Sequence, residues 1–195
     1  MEKLSRTFYS NKTLEVAKSL LGMLLIRQIN NKKLICRITE VEAYIGNIDK
    51  ACHAFGGRKT KRTQIMFEAP GYAYIYLIYG MYHCLNFVTE PKGEPSAILI
   101  RGAEPVDNIE EMSLYRYGKT YKELNSYQKN NFMNGPGKLC KALNITKKLN
   151  GADLLGEELY VCTDETSQKH KIKEGKRINI DYAEEAKDFL WRFYI

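Results

Sequence analysis

Glu42 and Arg101 are the two charged residues whose neighbours make chemistry plausible. Glu42 ends an alternating apolar stretch, and a carboxylate in that position can act as a general base on water. Its ordinary alternative is a carboxylate that satisfies backbone amides at a sheet edge. Arg101 lies on an otherwise apolar run, where an arginine needs a carboxylate or phosphate partner. Glu42 is a candidate, and the pairing is expected to keep it ionised. Glu40 is a rival base. However, two carboxylates at i and i+2 of one strand lie on one side of a substrate, whereas a two-carboxylate sugar hydrolase needs them to flank the bond.

Between these charges lies YAYIYLIYGMYHCLN (72–86), with five tyrosines in fifteen positions. Each buried phenol needs a hydrogen-bond partner, so a plain core has little use for so many. A site that stacks a flat ring does. Tyr44, His53 and Tyr76 are the candidate stacking groups; each alone reads equally as a core aromatic. Tyr79, with Gly80 and Met81, falls at a hairpin tip, where a large exposed ring can fill the gap left when a base leaves a duplex. The run Arg58, Lys59, Lys61, Arg62 suits phosphates, or is merely a solvated face. Lys138 lies in the glycine-rich NGPGKLCKAL (134–143), whose amides suit a phosphate. These residues point to a pocket that holds a nucleobase and cuts its bond to the sugar.

The elements that must position them are readable. Leu14, Ala17, Leu20 and Leu21 share a helical face, and Gly22 ends that helix. Strands are expected over 23–29 and 34–44, the second placing Leu34, Cys36, Ile38, Glu40, Glu42 and Tyr44 on one face. Residues 45–71 read as a long loop with a little helix. Strands follow at 72–79, 82–89 and 97–102, with Tyr72, Tyr74 and Tyr76 on one face of the first and Ala97, Leu99 and Arg101 on one face of the last. Short turns imply antiparallel pairing. Residues 106–148 read as mainly helical, and the tail 178–195 as docking back on the body.

The chain has 195 residues, 44% hydrophobic and 27% charged, as expected of a soluble globular protein with one domain, 1–195. A net charge of +7 favours an anionic partner. Five cysteines without a C-x-x-C pair argue against zinc and against a disulfide framework. No signal peptide or membrane span is apparent, so reduced thiols in the cytoplasm are expected. A zinc nucleobase deaminase needs H-x-E and C-x-x-C, and neither occurs. A cysteine hydrolase using Cys52 with a histidine, and a non-catalytic nucleic-acid-binding module, are the other readings.

Taken in order, EAYIG (42–46), DKACHAFGGR (49–58), MFEAPG (66–71), YIYLIYGMYHCLN (74–86), LIRGAEP (99–105) and NGPGKLCKAL (134–143) resemble the alkyladenine, or 3-methyladenine, DNA glycosylase family of base-excision repair. The likeness runs from SLLGMLLIR (19–27) to WRFYI (191–195) and is closest to the bacterial type. It implies an α+β fold: one compact domain, a curved antiparallel β-sheet surrounded by helices. It implies that Glu42 activates the attacking water and that Arg101 helps hold it. Tyr44 would stack on one side of a flipped base, His53 and Tyr76 on the other. The main chain near Ala51 and His53 would read the base edge. Asn86 and Leu99 would form the floor, with the asparagine crowding the exocyclic amino group of normal guanine. Tyr79 would intercalate, with Met81 beside it. Cys52 stands where the family commonly has a serine or another small residue. The implied partner is double-stranded DNA containing damaged purines: 3-methyladenine, and with it 7-methylguanine, hypoxanthine and ethenoadenine. No cofactor, metal or membrane is implied. A cytoplasmic monomer associated with the bacterial nucleoid is expected, hydrolysing the bond without a Schiff base.

Overall fold

A computed structural model of the protein describes residues 1–165 and 170–195. A short strand β1 (Glu2–Lys3) leads into helices α1 (Arg6–Tyr9) and α2 (Thr13–Leu20). Helix α2 buries Val16, Ala17 and Leu20 along one face. Glu90 holds its first turn, accepting from both the amide (2.9 Å) and the hydroxyl (2.8 Å) of Thr13. Gly22, at φ 83°, turns the chain away beyond its end.

Strands β2 (Leu24–Ile29) and β3 (Lys32–Ile45) follow as a hairpin. Asn30 and Asn31 form its turn at φ 45° and 65°, a conformation asparagine tolerates better than most residues. The loop after β3 holds two short 3-10 turns, Phe55–Gly57 and Gln64–Phe67, in accord with the sequence reading. Next come β4 (Ala73–Ile78), β5 (Tyr82–Thr89) and β6 (Ser96–Asp107), again antiparallel neighbours.

Residues 106–148 are less helical than expected. Strand β6 runs on to Asp107, and three short helices follow: α3 (Ile109–Tyr117), α4 (Ser126–Asn130) and α5 (Pro136–Ala142). The breaks have local causes. Gly118 closes α3 in the left-handed region, Asn125 and Gln128 form a reciprocal capping box that starts α4, and Pro136 opens α5. Strands β7 (Leu159–Thr163), β8 (Lys173–Gly175) and β9 (Arg192–Tyr194) complete the described strands.

The sheet runs β1-β7-β2-β3-β6-β5-β4, and β9 bridges β3 and β8. Strand β3 is shared lengthwise. Its first half pairs with β2, and residues Glu40–Glu42 pair with β9, so the tail does dock on the body and buries Phe193. The α+β architecture around an antiparallel sheet matches the expectation.

One expectation about β3 fails, and the failure positions the site. Leu34, Cys36 and Ile38 face the main core, but so do Val41 and Ala43. The facing parity switches between Ile38 and Val41. Thr39 is an extra residue on β3, between the pairs Ile38↔Ala103 and Glu40↔Gly102. Arg101 is an extra residue on β6, between Glu40↔Gly102 and Val41↔Ile100. Each β-bulge inverts its own strand, and together they restore the register. Glu42 and Tyr44 therefore lie on the face opposite Leu34, Cys36 and Ile38, not on the same one.

Helices α2, α3 and α5 cover the core face through residues such as Leu20, Met112 and Leu139, all fully buried. Burial of each such side chain contributes about 1.5–3 kcal/mol. Behind the sheet a smaller cluster gathers Cys52, Met66, Tyr74, Val88 and Ala97, with Tyr44, Tyr72 and Tyr76 packed against it.

Candidate active site

A cavity of about 740 Å³ opens on this second side. Glu42, Arg101, Tyr44, Ala51, His53, Tyr76, Asn86, Leu99, Tyr79 and Lys138 all line it, brought together from β3, β4, β5, β6, α5 and two connecting segments. Met81 stands beside them at the hairpin tip, 66% exposed, and Tyr79 is 71% exposed. Arg58, Lys59 and Lys61 lie on the exposed loop between Gly57 and Thr63.

Glu42 is completely buried. One carboxylate oxygen accepts the Tyr44 hydroxyl at 2.7 Å, and the other accepts the amide of Ile178 at 2.8 Å. An Nη of Arg101 is 3.6 Å away. The sequence suggests that arginine pairing dominates this carboxyl. Instead, burial pushes its pKa up, and Arg101, Tyr44 and Ile178 only partly offset that. Arg101 is also divided: its Nε donates to Glu40 at 3.1 Å, and Arg192 donates to the same Glu40 oxygen at 2.9 Å. Glu40, the rival base, is thus tied up by two guanidinium groups.

The aromatic walls are hydrogen-bonded and braced. His53 lies edge-on to Tyr76, with centroids 4.7 Å apart and planes at 80°. A flat ring stacked face-on against one of them therefore meets the other edge-on, so the two cannot act as one continuous stacking surface. Asn86 donates to the carbonyls of Tyr74 (3.0 Å) and Cys84 (3.3 Å), which fixes its amide. Lys138 reaches the side-chain oxygens of Asn131 and Asn134, both at 2.8 Å. Burial and the nearby Arg116 lower its pKa.

Arg62 departs from its expected place among free, phosphate-facing cations. Its guanidinium carbon sits 4.7 Å from the Tyr76 ring centroid, and a terminal nitrogen is 3.1 Å from His53 Nε2. A cation is attracted to the electron-rich ring face. Lys59 lies similarly over Phe67, at 5.4 Å.

The segment after β8 contributes residues that the sequence does not single out. Arg177 is buried, ion-paired with Asp49, and bonded to the carbonyls of Ala43 (2.8 Å) and Ala186 (3.0 Å). It also backs the Tyr44 ring at 4.7 Å. Asp49 in turn accepts from the amide of Ala51 at 3.0 Å. One buried ion pair thus ties the Tyr44 wall to the Ala51 backbone, and it places the amide of Ile178 on Glu42. Asp49 stands inside the recognisable DKACHAFGGR stretch, yet its residue type alone assigns it no role there.

All five cysteines are buried, and none is in a disulfide. Burial pushes the Cys52 thiol up to about 12. Such a thiol is not a nucleophilic thiolate at neutral pH, and both ring nitrogens of neighbouring His53 are engaged by Tyr74 and Arg62, which speaks against the cysteine-hydrolase reading. Among the described residues no helix is long and apolar enough to cross a membrane.

Known proteins share this chain's sequence from end to end. Residues 7–195 match the family model described as Methylpurine-DNA glycosylase (MPG). A protein of Clostridium novyi is 54% identical over 195 residues, covering 100% of this chain and 96% of its own. One from Clostridium perfringens is 56% identical (99% and 95% covered), and one from Alkaliphilus oremlandii 57% (99% and 95%). Each of the three is provisionally named a 3-methyladenine DNA glycosylase.

Proposed function

Because the chain belongs to the methylpurine-DNA glycosylase family, we propose that it excises methylated purines, 3-methyladenine foremost, from DNA and leaves an abasic site. The observation that carries this reading is the buried Glu42 carboxylate beside Arg101 in an aromatic-walled cavity.

The damaged nucleotide leaves the duplex, Tyr79 and Met81 fill the gap, and the base enters between Tyr44 and the wall of His53 and Tyr76. Flipping costs a few kcal/mol, and less for a weakly paired lesion, which gives a first layer of selectivity. Backbone near Ala51 and His53 reads the base edge, and Asn86 and Leu99 form the floor. Arg58, Lys59, Lys61 and Lys138 contribute to phosphate attraction, in keeping with the net charge of +7.

Glu42, ionised, takes a proton from a water molecule held with the help of Arg101. The water oxygen bonds to C1′ of the sugar, the glycosidic bond breaks, and its electron pair leaves with the base. A purine methylated at N3 or N7 is cationic in DNA, so it departs neutral without needing an acid. The negative charge of Glu42 also favours the oxocarbenium-like sugar. A raised carboxyl pKa moves this base closer to the operating pH, where proton transfer is most effective. The neutral lesions hypoxanthine and ethenoadenine need a proton to leave, which makes them the slower class. No step requires a metal or cofactor.

The test is base release from methylated duplex DNA and from oligonucleotides carrying one hypoxanthine or ethenoadenine, with alkali used to reveal abasic sites. Free 3-methyladenine is the expected product. Release of no base from any of these substrates ends the proposal.

A further inference from the structure

Both aromatic walls of the cavity carry a guanidinium, Arg177 on Tyr44 and Arg62 on Tyr76, each at 4.7 Å from the ring centroid. Their settings differ. Arg177 is buried and neutralised by Asp49. Arg62 is exposed and does not line the cavity, although His53 and Tyr76 do. It therefore acts on the wall from outside, through the 3.1 Å contact with His53 Nε2.

That contact has a definite polarity. A guanidinium only donates, so Nε2 facing it must present its lone pair. The ring proton is then on Nδ1, which donates to the Tyr74 hydroxyl oxygen at 2.9 Å. Adding a proton at Nε2 would set two N–H groups against each other. Burial and Arg62 together hold His53 down to about 4. The other titratable groups around this ring are Tyr74 and Tyr76 on β4, Cys84 on β5 behind Tyr76, Cys52 next to it in sequence, and Tyr182 from the tail, which also feels Arg62. No carboxylate is hydrogen-bonded or ion-paired to His53 among the described residues.

We propose that Arg62 is a positioning residue that locks His53 as the neutral Nδ1–H imidazole and thereby tunes the pocket toward cationic purines over neutral ones. The inference rests on the glycosylase reading. A charged imidazolium in the wall would repel an N3- or N7-methylated purine and would offer a proton to a neutral leaving base. Arg62, added to burial, works against both. Its own charge lies outside the cavity lining, so the side chains of this wall that face the base are themselves uncharged.

The experiment titrates His53 by NMR in the wild type, Arg62→Ala and Arg62→Lys, free and bound to a duplex with an abasic-site analogue. With three histidines in the chain, the imidazole signals can be assigned by substitution. In parallel, single-turnover release of 3-methyladenine and of hypoxanthine is measured from about pH 5.5 to about pH 8, the range in which an ordinary histidine titrates. Wild-type His53 stays neutral throughout, free and bound. In Arg62→Ala its titration moves to higher pH, with burial still holding part of the depression. Relative to wild type, 3-methyladenine release then falls progressively toward acid pH, while hypoxanthine release does not fall. Arg62→Lys lies nearer the wild type on both readouts. Three results overturn the proposal: an unchanged His53 titration in Arg62→Ala, an equal loss on both substrates at every pH, or a wild-type His53 that protonates once DNA is bound. If the wild type releases neither base, the functional reading fails instead, and the free-protein titration still decides whether Arg62 holds the ring neutral.

Discussion

Replacing Glu42 with glutamine removes the charge while keeping the shape. The two carboxylate oxygens accept from Tyr44 (2.7 Å) and from the amide of Ile178 (2.8 Å). A glutamine can keep its carbonyl toward Ile178 and turn its NH₂ toward the Tyr44 oxygen, whose hydroxyl rotates to accept. What disappears is the negative charge, and with it the proposed base and the attraction to Arg101. At 3.6 Å and an effective dielectric of ~20, that attraction is about 4–5 kcal/mol. Burial nevertheless outweighs it, since the carboxyl pKa is raised on balance. The sign for stability follows. Above the ordinary carboxyl value of 4.5 the native state binds the proton more tightly than the unfolded chain, so stability falls as pH rises from there through the raised native value. Glutamine does not titrate. Glu42→Gln should therefore melt above the wild type at neutral pH and converge with it in acid, each kcal/mol appearing as ~2–4 °C. Base release should fall by about 10²–10⁴, the usual contribution of a general base, with binding to an abasic duplex retained. Excess-enzyme base-release assays and melts at two pH values measure both. Release within tenfold of wild type, or a mutant that melts lower at neutral pH, refutes the reasoning.

Arg101 does more than Tyr44 or Ile178 to hold the Glu42 pKa down, so in Arg101→Ala the acid limb of kcat/KM should move to higher pH; an unmoved limb would separate Arg101 from the base. Gly46→Ala drives a Cβ into the Pro95 carbonyl oxygen, an overpacking that typically costs about 1–3 kcal/mol, and a melt within 1 °C of wild type would contradict it, by the same ~2–4 °C per kcal/mol. Tyr79→Gly suits the local φ of 52° better than tyrosine does, so the melting temperature should hold. Loss of the ring should lower kcat/KM on duplex by about tenfold or more, given a flipping cost of a few kcal/mol, and equal loss on single strands would argue against a wedge.

What the sequence reveals and conceals divides along physical lines. Period-two patterns and asparagine or glycine turns mark the strands at 23–29, 34–44, 72–79, 82–89 and 97–102, because those signals are local. The short helices of residues 109–142 blur together, although Gly118, the Asn125–Gln128 box and Pro136 are there to divide them. The cavity residues are legible through their motifs. Arg177 is not, because its partner Asp49 lies 128 residues away and a buried arginine has no local signature distinguishing it from a surface one. The amide of Ile178 on Glu42 has no side-chain signal at all. Arg62 sits in a run of exposed cations and differs from them by neighbours, His53, Tyr74 and Tyr76, that the fold brings to it.

The paired bulges account for how one sheet serves both core and cavity. A single extra residue at Thr39 would invert β3 relative to β6 and leave every later pair out of step. The compensating residue on β6 is Arg101 itself. From Val41↔Ile100 onward the strands pair in register, with Val41, Ala43, Ile98 and Ile100 in the core and Glu42, Tyr44, Leu99 and Arg101 at the cavity. As the extra residue, Arg101 keeps the side of Ala97 and Leu99, within reach of both Glu40 and Glu42. Regular pairing without the bulges would turn the arginine or the carboxylate toward Leu34, Cys36 and Ile38, where an unpaired charge is far costlier than a bulge. The charges gathered at the cavity therefore favour the irregularity that aims them.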